Sequence, residues 1–257
     1  MQVFLFYGSE KTVRKKRNLQ EMNLPSGQRA APRQKRAERS RHDILNAARI
    51  AFARRGYEGS NIRDIAEQVG VTHTLVRYHF GNKLDLWKEV VDDMFLGLSQ
   101  AFGNDKTGYL DLRTPDGLRS WLRLYIAYCA KHPEHVRIMI HESMAATDRL
   151  EYMVEHIRRS HVGLIPVFTR LMQQGVVPEV WLVSFFYIVS SVCQMPFVLT
   201  NAIDKLYGVQ MTSQAAIDAH TEAVIALVLG ERSVDQSQWP SLPAWAETAR
   251  NKPLLAS

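Results

Sequence analysis

The chain has 257 residues, 46% hydrophobic and 23% charged, enough apolar material for a buried core and too much for a wholly disordered chain. Its two cysteines, Cys129 and Cys193, exclude a disulfide framework and suit a reducing cytoplasm. The net charge of +6 is uneven: residues 1–41 hold eleven Lys/Arg against three acids, a net of +8, which leaves −2 on the rest and points to polyanions at one end only.

Residues 1–37 contain Pro25, Gly27 and Pro32 and lack a sustained apolar period, so they read as a basic, mostly disordered arm. The apolar Met1–Tyr7 precedes the basic run, the reverse of a secretory signal, so export is not expected. Met22 is a second candidate start. From Ala37 the period becomes helical. Ile44, Ala47, Ala48, Ala51 and Phe52 form one stripe, with Arg41, Asp43, Asn46 and Arg49 opposite, and Gly56 ends the helix. A short second helix carries Ile62, Ile65, Ala66 and Val69 behind a Ser60 or Asn61 cap. Gly70-Val71 is a tight turn. Thr72 then caps a third helix with Leu75, Val76 and Phe80, and Asn82 caps a fourth, with Asp85 at its third position and Leu84, Leu86, Val90, Val91 and Met94 on its apolar face.

Two short helices joined by a sharp turn are what a helix-turn-helix needs for its second helix to enter the DNA major groove. Ile65, Ala66, Val71, Val76 and Phe80 lock the pair together. Thr72, His73, Thr74, Arg77, Tyr78 and His79 remain as the polar surface of the second helix.

Past a breaker-rich loop from Gly103 to Pro115, helical segments are expected near 116–131, 134–146, 148–174, 178–205 and 213–230. Pro133, Gly175–Pro178 and Gly208 punctuate them, and the tail from Glu231 reads as loose. The expected fold is all-α: an arm at 1–37, a three-helix head at 38–87, a helical body at 88–230 and a flexible tail at 231–257. Residues 180–203 carry no charge, long enough for a bilayer span. Ser184, Ser190, Ser191, Gln194 and Pro196 interrupt them, so a buried helix is the preferred reading and no membrane partner is expected. His132, His135 and His141 with Glu142 raise a metal site, but His132 and His135 flank Pro133 and need not converge, so no metal is expected. No glycine-rich phosphate loop, nucleophile elbow or zinc-protease helix suggests an enzyme or a cofactor.

Residues 38–87 resemble the amino-terminal domain of the tetracycline-repressor (TetR) family. The likeness rests on Gly56-Tyr57, Ile65-Ala66, Gly70-Val71, Tyr78-His79-Phe80, Lys83 and Leu86. The resemblance implies that Thr72, His73 and Thr74 open a recognition helix, that Tyr78, His79 and Lys83 meet phosphates, and that Asn61 and Arg63 add phosphate and groove contacts. Arg77 stands where the family commonly has Tyr; arginine grips guanine bidentately as well as phosphate, so operator preference differs there. Tyr57 and Phe80 read as core. The resemblance further implies a bacterial, cytoplasmic homodimer, found on the nucleoid when bound to DNA. The helices at 178–205 and 213–230 would pair the subunits, and an effector pocket would lie among the helices at 116–146 and 148–195. Trp121, Tyr125, Met139, Phe168, Met172 and Phe185 are its candidate lining, for a lipophilic or aromatic ligand. The expected function is a repressor released from a pseudo-palindromic operator by a small molecule; an activator, a ligand-independent DNA binder and a membrane-anchored protein remain as alternatives. Arg33, Lys35, Arg36, Arg39 and Arg41, just ahead of the head, are either solvated charges or salt-dependent contacts to phosphates and the minor groove.

Overall fold

The computed structural model describes residues 30–103, 111–231 and 239–250. The expected arm before residue 30, the Met22 start and the last residues of the expected tail lie outside these. Among the described residues every regular element is a helix: α1 (Ala30–Arg55), α2 (Ile62–Gln68), α3 (His73–Phe80), α4 (Lys83–Gly103), α5 (Pro115–Lys131), α6 (Glu134–Ser143), α7 (Asp148–Gln173), α8 (Leu182–Val198), α9 (Thr200–Tyr207), α10 (Gln214–Leu229) and α11 (Ala244–Arg250). They divide into two compact units. The first takes in 30–103 and 137–164, and the second 111–136 and 165–250, so α6 and α7 contribute to both.

The first unit is built on the apolar stripe of α1. Ile44, Ala48 and Phe52 are buried against Ile65 and Ala66 of α2, Val76 and Phe80 of α3, and Leu86, Val90, Val91 and Met94 of α4. Trp87, which no amphipathic pattern singled out, is among the largest fully buried side chains. Leu84, assigned to the apolar face of α4, is exposed instead. Helix α1 begins at Ala30, ahead of the expected Ala37. Pro32 was read as a breaker, but in a first helical turn proline removes only an N–H that has no intrahelical acceptor.

In the second unit α5, α8 and α10 pack on one another. Thr114 caps α5 by accepting from the Gly117 amide, with Pro115 in the first turn. Position 117 must be glycine: a Cβ there would lie 1.9 Å from the Asp111 carbonyl oxygen. The expected single helix at 178–205 is two, α8 and α9, bent by 70° at Leu199. Pro196 has no N–H to offer the Val192 carbonyl, so the last turn of α8 is weakened where the apolar run continues unbroken in sequence. Among the described residues no single helix is long and apolar enough to cross a membrane; α8 and α9 reach that length and composition only as this bent pair. Within the expected flexible tail, α11 forms: Trp245 donates its indole N–H to the Leu206 carbonyl at 3.0 Å and lies beside the Tyr207 ring. Pro243, inside the tail expected to be loose, accepts from the Ala246 and Glu247 amides and so opens that helix.

Candidate nucleic-acid interface

Local chemistry sets the helix-turn-helix. The Asn61 carboxamide accepts from the Asp64 amide at 2.8 Å and the Thr72 hydroxyl from the Leu75 amide at 3.3 Å, so each helix has its own side-chain cap. Gly70 takes φ +67° between them, which lets the Val71 amide return to the Ala66 carbonyl at 3.0 Å. Ala66, small and buried, allows the close crossing. Asn82 caps α4 through the Leu84 and Asp85 amides and donates to Asp85.

These starts of helices converge on an open groove of about 680 Å³, lined by Ser60, Asn61, Ile62, Arg63, Asp64, His73, Arg77 and Lys83. Five of the nine residues expected at DNA are thereby brought together. Three carry fixed positive charge, Arg63, Arg77 and Lys83. The acid of the lining, Asp64, faces Arg55 at 3.8 Å. Helix N-termini add backbone N–H groups and positive dipole ends, so the groove suits an anion. Ser60, Ile62 and Asp64 were not expected as lining. An acid in the first turn of α2 was a legible signal for Asp64; nothing local marked the other two.

The other expected residues lie around α3. Thr72 and Thr74 are exposed at its start, and Tyr78 is 81% exposed, a position no packing demand explains. His79 is half-buried, and burial together with nearby Arg41 pulls its imidazole below the ordinary value. Lys83 is held over the Tyr57 ring, 4.2 Å from its centre, and burial lowers its ammonium's pKa. Arg149 lies on the same ring at 3.9 Å, pairs through Nε with the buried Glu142 at 3.0 Å, and reaches Glu58 at 3.2 Å. A Cβ at Gly56 would come within 3.2 Å of His141. The loop before α2 is thus clasped by the end of α6 and the start of α7.

Of the residues expected around an effector, Trp121, Tyr125, Phe168 and Phe185 form one aromatic cluster in the second unit. Their ring centres lie 5.0–5.8 Å apart along the chain Tyr125, Trp121, Phe168, Phe185, and Phe186 joins at Phe168. Gln194 donates its amide to the Tyr125 hydroxyl. Met172 is buried nearby in sequence and lines a separate notch with Val176, Val177 and Leu229. Met139 does not join them: it packs in the first unit against the core of the head. The histidines raised for a metal are likewise dispersed. His132 faces Glu134 at 3.5 Å, His135 meets the Tyr128 hydroxyl, and His141 lies at Gly56.

Comparison with known proteins matches both parts of the chain. A family model described as bacterial regulatory proteins, tetR family, covers residues 44–90, and one described as a tetracyclin repressor-like C-terminal domain covers 115–228. The HTH-type transcriptional repressor NicS of Pseudomonas putida is 30% identical over 113 residues, 44% of this chain and 52% of NicS, so the match spans about half of that relative's length. Among solved structures, HlyIIR, a hemolysin II transcriptional regulator, is 21% identical with a TM-score of 0.54, covering 75% of this chain and 98% of that one. AibR, in complex with isovaleryl coenzyme A and operator DNA, is 16% identical with a TM-score of 0.53, covering 74% and 97%. These two likenesses show the fold. With an amino-terminal and a carboxy-terminal model both matched, the chain belongs to the tetR family of bacterial regulatory proteins.

Proposed function

We propose that this protein is a dimeric, DNA-binding transcriptional repressor of the bacterial cytoplasm, resident on the nucleoid while bound and released by a small ligand. The cationic groove joining Asn61, Arg63, His73, Arg77 and Lys83 beside the exposed face of α3 carries the reading. Thr72, Thr74, Tyr78 and His79 extend it along α3. NicS, named as a repressor, supports the sign of regulation. Tyr187 of α8, 69% exposed, and Leu227 of α10, 73% exposed, leave apolar surface for a second copy of the chain, as pairing two heads on a pseudo-palindrome requires.

The effector is proposed to bind among Trp121, Tyr125, Phe168 and Phe185, without Met172, which lines the separate notch. None of these is charged, which favours an uncharged or largely lipophilic ligand with one polar group for Tyr125 and Gln194. It releases DNA if it favours the non-binding state, and about 1–3 kcal/mol of coupling is typical of such linkage.

Selection of bound duplexes from a random pool tests the core of this reading. A pseudo-palindrome should be enriched, and Arg77→Ala and Lys83→Ala should each weaken its binding while light scattering still finds a dimer. Enrichment of no sequence would defeat the proposal.

A further inference from the structure

The acids around the groove are each held by a partner other than Lys83. Asp64 faces Arg55 at 3.8 Å, Asp85 accepts from the Asn82 carboxamide at 2.6 Å, and Glu58 meets Arg149 at 3.2 Å. Lys83 itself has no carboxylate within ion-pair distance among the described residues; its ammonium rests over the Tyr57 ring instead. An aromatic face attracts a cation without cancelling its charge, so Lys83 stands in the groove lining with its charge intact.

Of the three acids, Glu58 is the one placed to cancel that charge. It follows Tyr57 directly in the chain and its side chain is 80% exposed, so it is not fixed by packing. Its field reaches Lys83: burial lowers the ammonium's pKa, Glu58 raises it and Arg149 lowers it. Glu58 is occupied by Arg149, which pairs through Nε with the buried Glu142 and turns Nη2 to Glu58. Glu142 fixes the guanidinium, because a buried carboxylate without its cation is strongly disfavoured, and the planar fork leaves a second nitrogen for Glu58. Arg149 belongs to α7, within the residues matched by the carboxy-terminal family model, whereas Tyr57, Glu58 and Lys83 lie within those matched by the amino-terminal one.

We infer that Arg149 is a positioning residue for DNA binding: by holding Glu58 it keeps the charge of Lys83 available to a backbone phosphate. Without Arg149, Glu58 turns onto Lys83 and an intramolecular ion pair replaces the contact to DNA. The inference rests on the reading of Lys83 as a phosphate contact and adds that this contact is set by a residue outside the DNA-binding head. A phosphate contact releases condensed counterions, so its loss shows in the salt dependence of affinity.

The test follows binding of the full chain to the selected duplex by fluorescence anisotropy across a range of salt. Removing Arg149 also strands Glu142, so the variant that isolates Glu58 is Glu142→Gln with Arg149→Gln. Each phosphate contact contributes about 0.9 to the slope of log affinity against log salt. The double variant should lose about 0.9 of slope per head, as much as Lys83→Ala does, and Lys83→Ala added to it should remove nothing more. Adding Glu58→Gln to the double variant should restore the wild-type slope without changing its melting temperature, a recovery that a merely structural role for Arg149 does not give. Should the double variant fail to fold, Arg149→Lys serves the same purpose. It keeps a cation for Glu142 but lacks the fork that reaches Glu58, and it should show the same loss and the same recovery. A wild-type slope in these variants overturns the inference, and so does a loss that Glu58→Gln leaves in place. If Lys83→Ala by itself keeps the wild-type slope, the reading of Lys83 as a phosphate contact fails, and the inference with it.

Discussion

At Arg149 three demands meet in one guanidinium: the Glu142 carboxylate, 3% exposed, the Glu58 carboxylate and the face of Tyr57. A buried carboxylate that loses its cation costs about 3–5 kcal/mol. Arg149→Ala should lower stability by that order in urea unfolding. Adding Glu142→Gln should recover a large part of it, because the stranded charge is then gone. If the single variant unfolds like the wild type, the clasp contributes nothing to the head. Arg77 poses a different question, since it is exposed and its side chain is needed for nothing in the core. Lysine keeps the positive charge there but not the bidentate fork. Arg77→Lys should retain non-specific affinity while losing about 1–3 kcal/mol of discrimination at one operator base pair. A uniform loss over all sequences would make Arg77 a phosphate contact only.

The elements of the second unit show how a broken pattern is made tolerable. Pro196 leaves the Val192 carbonyl without its intrahelical donor, and His220 of α10 comes within 2.8 Å to supply Nε2–H instead. Burial holds that imidazole's pKa below the ordinary value, against the effect of the carbonyl, so the neutral donor form is favoured. His220→Ala strands the carbonyl and should cost about 1–3 kcal/mol. The paired change with Pro196→Ala, which restores the helix's own N–H, should be much milder than His220→Ala alone. Equal losses in the two proteins would show that the contact is incidental. Pro166 in α7 raises the same problem at Val162, but there the helix face is exposed and water can satisfy the carbonyl.

Over the whole molecule, His79, His161 and His220 all sit below the ordinary histidine value of 6.5, each chiefly through burial. The unfolded chain therefore binds more protons than the folded one as pH falls through that value. Stability is fully present above about pH 6.5 and declines as pH drops below it. Asp92 acts in a separate window. Burial raises its pKa, but hydrogen bonds from His156 and Tyr152 outweigh that and hold the carboxyl below its ordinary range, so its contribution is lost only in stronger acid. Melting temperature should fall between pH 7.5 and 5.5, and His79→Gln with His161→Gln should flatten the fall. An unchanged slope would move the acid sensitivity to other groups. The proposed dimer is tested at the same scale: Tyr187→Glu with Leu227→Glu should yield a monomer by light scattering and weaken operator binding. A dimer that survives both charges would place the subunit contact elsewhere.

The helix-turn-helix was legible in sequence because its determinants are local. Asn61, Thr72 and Asn82 bond to amides two or three residues away, Gly70 sets its own turn, and the apolar stripes need only the helical period. The same locality made the all-α class readable in advance; that Asn61, Arg63 and Lys83 would stand with His73 and Arg77 came only from the family resemblance. Tertiary structure decided what depends on partners distant in sequence. Nothing near Met139 says that it packs in the head's unit, away from Trp121, Tyr125, Phe168 and Phe185, and nothing near Tyr57 announces Arg149, because sequence spacing does not report which faces meet. Pro32, Pro196 and Pro243 make the point in one residue type. Each looked like a breaker, yet one lies in a first turn, one weakens a helix whose lost bond His220 replaces, and one opens a helix, according to where the neighbouring carbonyls find donors.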